Sequence, residues 1–364
     1  MRTLGISIYL GHGNIDKYKD YLEKAAKYGF TRVFTCLISL EENLEERIKE
    51  FSEIMNHAKS LGMEVIADVD ANIFNKLNLD YRNLEFFHNL GLSGIRLDLG
   101  FTGNEEAIMS FNPYNLKIEL NMSNGTKYPD NIMSYCPNKE NIIGCHNFYP
   151  HRYSGLSRKH FIKCSEQFKN LGVKTAAFIS SNTSNIGPWQ VFEGLCTLEE
   201  HRNLPIDVQA KDLFNTGLID EVIIAQCFAH ENELEMLSKI NRNMLEFSVV
   251  LEDRIPEIQR KVVLEEEHFN RGDVSEYMIR STQSRVKYKG VEFEEFNKVP
   301  IKRGDILIES SLYDRYAGEL QIALKYMDNS GKTNVVGRIR EEEIYLIDIV
   351  EPWQKFKFNL KKVF

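Results

Sequence analysis

Residues 44–69, LEERIKEFSEIMNHAKSLGMEVIADV, decide the fold class. Leu44, Ile48, Phe51, Ile54, Met55 and Ala58 recur at helical spacing and form one apolar stripe. Gly62 then stops the helix, because glycine enters the left-handed C-cap conformation without a Cβ penalty. Glu64–Val69 follows as a short apolar run with Asp68 near its end. The unit recurs on either side. Ile15–Tyr28 places Tyr18, Leu22, Ala25 and Ala26 on one stripe before Gly29, and Ser157–Leu171 does the same with Phe161, Cys164, Phe168 and Leu171 before Gly172. Strand-like runs lie at Leu4–Leu10, Thr31–Ile38, Glu64–Val69, Gly94–Leu99, Leu116–Leu120, Asn141–Cys145, Lys174–Ile179 and Glu221–Ala225. Eight strands with crossover helices in about 240 residues predict an α/β protein built on a closed (β/α)8 TIM barrel. A doubly wound sheet needs fewer strands, and no G-x-G-x-x-G follows the first.

The pattern changes near residue 245. Strand-like pieces recur at Glu276–Arg280, Ile306–Ser310, Glu319–Tyr326, Asn334–Ile339 and Ile344–Ile349, with turn signals at Arg303-Gly304-Asp305 and Asp328–Gly331. No periodic helix stands out there. The predicted organisation is a catalytic barrel over 1–245 and a smaller all-β domain over 246–364, a small barrel or sandwich serving as a lid.

The whole chain has 364 residues, with 45 Lys and Arg against 53 Asp and Glu, hence a net charge of −8. Such a balance argues against a nucleic-acid partner, which needs a basic face. No apolar run approaches the ~20 residues of a membrane helix. Residues 1–13 lack a signal-peptide core, and the six cysteines form no C-x-x-C pair. A cytoplasmic protein with reduced thiols is the expectation.

In a barrel of this kind, residues at the C-terminal strand ends face the active-site mouth. Asp68 closes the third strand, with Asp70 beyond; Arg96-Leu97-Asp98 closes the fourth; Glu119-Leu120-Asn121 closes the fifth. The sixth runs into His146-Asn147-Phe148-Tyr149-Pro150. Carboxylates on adjacent strand ends suit glycoside hydrolysis, where one acts as acid and another as nucleophile or base. They equally suit a phosphosugar lyase, epimerase or aldolase. A phosphosugar-binding protein without activity is the non-enzymatic alternative. Asp98 beside Arg96 also reads as a simple ion pair, and His146 as a satisfied core histidine. The segment Ser180–Trp189, with Gly187-Pro188 and then Glu193-Gly194, reads as a phosphate loop, and Thr197 with Glu200 as a capping box. In the second domain Arg280, Arg285 and Arg315 are candidates to grip a phosphate.

Several motifs together resemble the 6-phospho-N-acetylmuramidase family, glycoside hydrolase family 170. They are Leu4-Gly-Ile-Ser-Ile-Tyr9, Arg96-Leu-Asp98, Ile118-Glu-Leu-Asn121 with Ser123, and Gly144-Cys-His-Asn-Phe-Tyr-Pro150, the most specific string. Gly155-Leu-Ser157, Gly187-Pro188, Glu193-Gly-Leu195, Thr197-Leu-Glu199, His201-Arg202, Arg315-Tyr316, Gly318-Glu-Leu-Gln-Ile322 and Asn334-Val-Val-Gly337 extend the match along the chain. Asp70-Ala71 departs from the Ser-Pro expected there, which weakens a role for Asp70.

The resemblance implies a TIM barrel followed by a cyclophilin-like β domain. It further implies a cytoplasmic enzyme of peptidoglycan recycling that needs no cofactor or metal. Its substrate would be a phosphorylated amino-sugar disaccharide, 6-phospho-N-acetylmuramyl-β-1,4-N-acetylglucosamine, and a homodimer is the assembly left open. The roles are assigned from side-chain chemistry. Glu119 is expected to be the general acid and Asp98 the nucleophile or charge stabiliser. In a substrate-assisted alternative, the muramyl acetamide attacks and Asp98 or Asp68 would only orient it. Asn121, His146, Asn147 and Tyr149 are expected to contact sugar hydroxyls and the lactyl carboxylate. The backbone of the loop at Gly187 and either Arg280 or Arg315 would hold the phosphate. Tyr9, Arg96 and Glu193 complete the expected substrate contacts.

Overall fold

The eight strands form where the apolar runs predict them, and each is buried on both faces, as a parallel sheet covered by helices requires. In the computed structural model, which describes residues 2–37, 44–69, 73–74 and 79–360, they are β1 Thr3–Ile8, β2 Arg32–Cys36, β3 Glu64–Val69, β4 Gly94–Leu97, β5 Lys117–Asn121, β6 Ile142–Cys145, β7 Lys174–Ile179 and β8 Glu221–Ile224. Each pairs in parallel with the next, and β8 returns to β1 through Thr3–Glu221 and Gly5–Ile223, so the barrel is closed. Asp70 lies outside the described residues.

Local chemistry sets the helix ends. Asn14 accepts the Lys17 amide at 3.1 Å and caps the helix Ile15–Lys27. Ser157 accepts the amide of His160 and caps Arg158–Asn170. Gly29, Gly62 and Gly172 all take positive φ, 78°, 78° and 75°, at the predicted stops. Register then places Cys36 beside Asp68, Asp68 beside Arg96, and Arg96 beside Glu119, so four polar side chains stand at one level on consecutive strands.

Met1–Ile240 forms one compact unit and Asn241–Phe364 a second. The second unit contains β9 Leu245–Leu251, β10 His268–Phe269, β11 Met278–Ser281, β12 Asp305–Glu309, β13 Leu320–Ala323, β14 Thr333–Ile339 and β15 Lys355–Leu360. They form one mixed sheet in the order β10-β15-β9-β14-β12-β13-β11. Its two edge strands approach each other, the Arg271 amide donating to the Arg280 carbonyl at 3.0 Å, so the sheet is a nearly closed barrel.

Three expectations fail in the second unit. Ile344–Ile349 is not a strand but part of the 3-10 stretch Glu341–Ile349, pinned by the buried Glu343 carboxylate accepting the Ser248 amide at 2.6 Å. A helix, Glu257–Glu265, follows Pro256; it buries only Gln259, Val262 and Val263, too narrow a stripe to register as periodic. The strands β9 and β15, which pair in parallel, are also new; the charges at Glu246, Lys355 and Lys357 break up their apolar pattern. Among the described residues no helix is long and apolar enough to cross a membrane.

Candidate active site

The mouth end of the barrel holds a cavity of about 380 Å³ lined by Phe34, Cys36, Asp68, Arg96, Asp98, Asn147, Phe148, Phe178, Pro188 and Trp189. Its chemistry centres on Arg96. One nitrogen, Nη1, donates to Asp68 at 3.0 Å and to Asp98 at 3.3 Å, and Nη2 donates to the side-chain oxygen of Asn147. The two carboxylates differ in setting. Asp68 keeps 14% of its side chain exposed and Asp98 keeps 46%. Burial raises the Asp68 carboxyl above its ordinary range, Arg96 draws it back down, and the charge of Asp98 pushes it up again.

Each member of this group is held from behind. Asn121 donates to Asp98 at 3.0 Å and accepts the Ser123 amide at 2.8 Å, so it aims the carboxylate. The backbone of Asn147 is fixed at both ends: its amide donates to Ser123 Oγ at 2.9 Å, and its carbonyl accepts Thr197 Oγ1 at 2.9 Å. Thr197 also accepts the Phe178 amide, at 2.9 Å. The capping-box reading of Thr197 and Glu200 is therefore overturned; Thr197 ties β7 to the segment that follows β6, and Glu200 pairs with Arg158 at 2.5 Å.

His146 is a core histidine, contrary to its expected place on the site wall. It is fully buried, with Nδ1 3.1 Å from Ser123 Oγ and Nε2 2.9 Å from Ser165 Oγ. Desolvation lowers its pKa to about 3, so the ring is neutral and supports Ser123 from below. Tyr9 is also core: its hydroxyl donates to the Ala225 carbonyl at 2.8 Å. Tyr149 is half-buried, and its carbonyl accepts Arg202 at 3.0 Å.

Glu119 does not face the cavity. It is completely buried, and its carboxylate takes a hydrogen bond from Arg32, which also binds Glu221. Strands β2, β5 and β8 are not neighbours, so these bonds cross the barrel lumen, beneath the cavity. A carboxylate with no solvent-facing surface and a guanidinium on it cannot reach a leaving group. The expectation that it is the acid fails for that reason.

The loop after β7 is likewise committed. The buried Glu233 carboxylate accepts Ser181 Oγ at 2.5 Å, the Asn182 amide at 2.7 Å and Thr183 Oγ1 at 2.7 Å. A carboxylate already occupies the donors of Ser181, Asn182 and Thr183, so this part of the expected Ser180–Trp189 phosphate loop has none of those donors to offer a phosphate. Gly187 donates its amide to the Trp189 carbonyl at 3.0 Å, and a Cβ there would stand 2.9 Å from Val191. The tight turn presents Pro188 and Trp189 to the cavity instead. Glu193 is exposed and binds Arg152. In the second unit, Arg280 and Arg285 both pair with the buried Glu319, at 2.8 and 3.0 Å, while Arg315 is exposed.

Two family models divide the sequence between them: 6-phospho-N-acetylmuramidase, N-terminal, over residues 4–239, and 6-phospho-N-acetylmuramidase, C-terminal, over 245–359. The chain belongs to the 6-phospho-N-acetylmuramidase family. It is accordingly a glycosidase. A crystal structure of an uncharacterized B. cereus protein is 49% identical with a TM-score of 0.91, covering 98% of this chain and 99% of that one. A conserved Enterococcus faecalis protein, 23% identical with a TM-score of 0.71 over 99% of this chain and 96% of that one, shares the fold. No curated protein matches the chain significantly.

In this glycosidase, sequence reasoning missed the apolar half of the site. Phe34, Phe148 and Phe178 pack edge to face, with centroids 5.0 to 6.1 Å apart, and line the cavity beside the charged residues. Trp189 lines the cavity yet stays 56% exposed. A tryptophan directly after Gly187-Pro188 was the available signal. Elsewhere, Glu200, His201 and Asp212 lie close enough to resemble a metal site, but Arg158 donates to both carboxylates, so their charges are already answered within the protein.

Proposed function

We propose that the enzyme hydrolyses the β-1,4 bond of 6-phospho-N-acetylmuramyl-N-acetylglucosamine, releasing N-acetylmuramic acid 6-phosphate and N-acetylglucosamine. The setting would be cytoplasmic recycling of peptidoglycan sugars. Family membership supports the substrate. The observation that carries the chemistry is the pair Asp68 and Asp98 on one guanidinium nitrogen at the cavity floor.

In this reading Asp68, the more buried carboxyl with its raised pKa, is the general acid that protonates the leaving oxygen. Asp98, more exposed and aimed by Asn121, is the partner carboxylate. It either attacks the anomeric carbon or orients the 2-acetamido group for that attack. Oxygens 3.0 and 3.3 Å from one nitrogen are at most about 6.3 Å apart, short of the 6.5–9.5 Å of inverting enzymes, which favours retention. Asn147 and Arg96 would meet sugar hydroxyls, and the aromatic wall would take the apolar ring face.

The test is product analysis in H₂(18)O with the phosphorylated disaccharide and its unphosphorylated counterpart. The expected result is two intact sugars, with one (18)O on the muramic acid phosphate and at least a hundredfold preference for the phosphorylated form. An unsaturated or epimerised product, or no turnover of either, would overturn the proposal.

A further inference from the structure

The barrel floor contains more charge than a core needs. Arg32, Glu119 and Glu221 are buried from water and joined across the lumen, and the row continues upward to Arg96. Burying ions is costly unless each is fully paired. Here one junction is left open. Glu119 Oε1 and Arg96 Nε stand 3.9 Å apart, both buried, and neither has a hydrogen-bond partner among the described residues. The reason lies in their other commitments. Arg96 is pulled toward the mouth by Asp68, Asp98 and Asn147, and the second oxygen of Glu119 is pulled toward the floor by Arg32.

We propose that Glu119 is a positioning residue that competes with Asp68 for Arg96, and that Arg32 sets the strength of that competition. Its negative charge beside Arg96 keeps the guanidinium from fully neutralising Asp68, which favours the protonated form that a general acid needs. Arg32 answers part of that charge from below and so limits the effect. The groups facing Asp68 are Cys36 on β2, Tyr9 at the end of β1, Arg96 and Asp98 on and after β4, and Glu119 on β5. Among these the aspartate and Glu119 oppose its ionisation, and Arg96 alone favours it. This rests on the assignment of Asp68 as acid, but the coupling exists whether or not the sugar substrate is the right one.

The test uses opposite charge changes. The full chain, labelled with (13)C at aspartate carboxyls, is titrated by NMR, and the Asp68 resonance is identified by its loss in Asp68→Asn. Glu119→Gln should lower the Asp68 titration midpoint by about one pH unit. Arg32→Gln should raise it, because the full Glu119 charge then acts on Arg96. A merely structural disturbance moves both the same way. Both variants are read only if they retain the wild-type circular dichroism spectrum, and a shift of either one opposite to its stated sign also overturns the proposal. No shift, or shifts of one sign in both, overturns the proposal. With a turned-over substrate, the basic limb of the kcat–pH profile should move by the same amounts. Failure to find hydrolysis leaves the NMR titration to decide the coupling on its own.

Discussion

Arg96 holds Asp68 at 3.0 Å with the same nitrogen that holds Asp98 at 3.3 Å, so one guanidinium nitrogen joins the two carboxylates. Their different burial separates their tasks. Asp68→Asn should reduce kcat/KM at least a hundredfold on the proposed phosphorylated disaccharide, whose leaving sugar needs a proton. On an aryl glycoside with a nitrophenolate leaving group the loss in kcat/KM, which reports the bond-breaking step alone, should be tenfold or less. Asp98→Asn should be severe on both. Equal losses of Asp68→Asn on the two substrates would remove it from the acid role.

The shared nitrogen also bears on stereochemistry. Carboxylates held this close leave little room for a water between acid and base. Proton NMR of the first turnovers should show the β-anomer of N-acetylmuramic acid 6-phosphate before mutarotation. An initial α-anomer would mean that water attacks directly, and that the pair is wider in the working enzyme.

The barrel was legible because its signals are local. Gly29, Gly62 and Gly172 stop three helices, and apolar runs too short to be helices follow each. The carboxylates Asp68 and Asp98 were legible because barrel strand ends face the mouth. Direction within the lumen was not. Glu119 occupies the same level as Arg96 on the register, yet its carboxylate turns to the floor because Arg32, 87 residues earlier in the chain, reaches across from β2. Nothing near Glu119 in sequence announces that partner. The same holds for Glu233, which claims Ser181 and Thr183 from about 50 residues away and turns an apparent anion loop into an occupied one. His146 shows the reverse: Ser123 and Ser165 satisfy both ring nitrogens, and only the folded chain brings them there.

Trp189 is presented by a turn that leaves it little freedom, with the Gly187 amide on its own carbonyl. A pyranose ring lying against the indole would bury apolar surface on both. Trp189→Ala should raise KM about tenfold, equivalent to roughly 1.4 kcal/mol, with kcat changed less than threefold. Because the sequence contains only one other tryptophan, Trp353, a Trp353→Phe background leaves Trp189 as sole reporter. Its emission should change on addition of N-acetylmuramic acid 6-phosphate. An unaltered KM together with silent fluorescence would place the sugar elsewhere in the cavity.

His146 makes a prediction about acid stability that does not depend on catalysis. Its pKa is about 3 in the fold, against about 6.5 for an unperturbed histidine. The unfolded chain therefore binds a proton between those values that the folded chain refuses, and stability falls as pH drops through that window. Above pH 7 the group imposes no such penalty. His146→Gln, whose amide can still meet Ser123 and Ser165, removes the penalty but loses some packing against Phe161, which lies 4.7 Å away. At pH 8 the variant should be the less stable protein. Between pH 8 and pH 5 the wild type should lose about 2 kcal/mol relative to the variant, a slope of roughly 1.4 kcal/mol per unit below pH 6.5. His268, lowered to about 4, is common to both proteins and cancels in the difference. Urea unfolding at the two pH values measures the difference directly. A stability gap independent of pH would show that His146 accepts its proton within the fold.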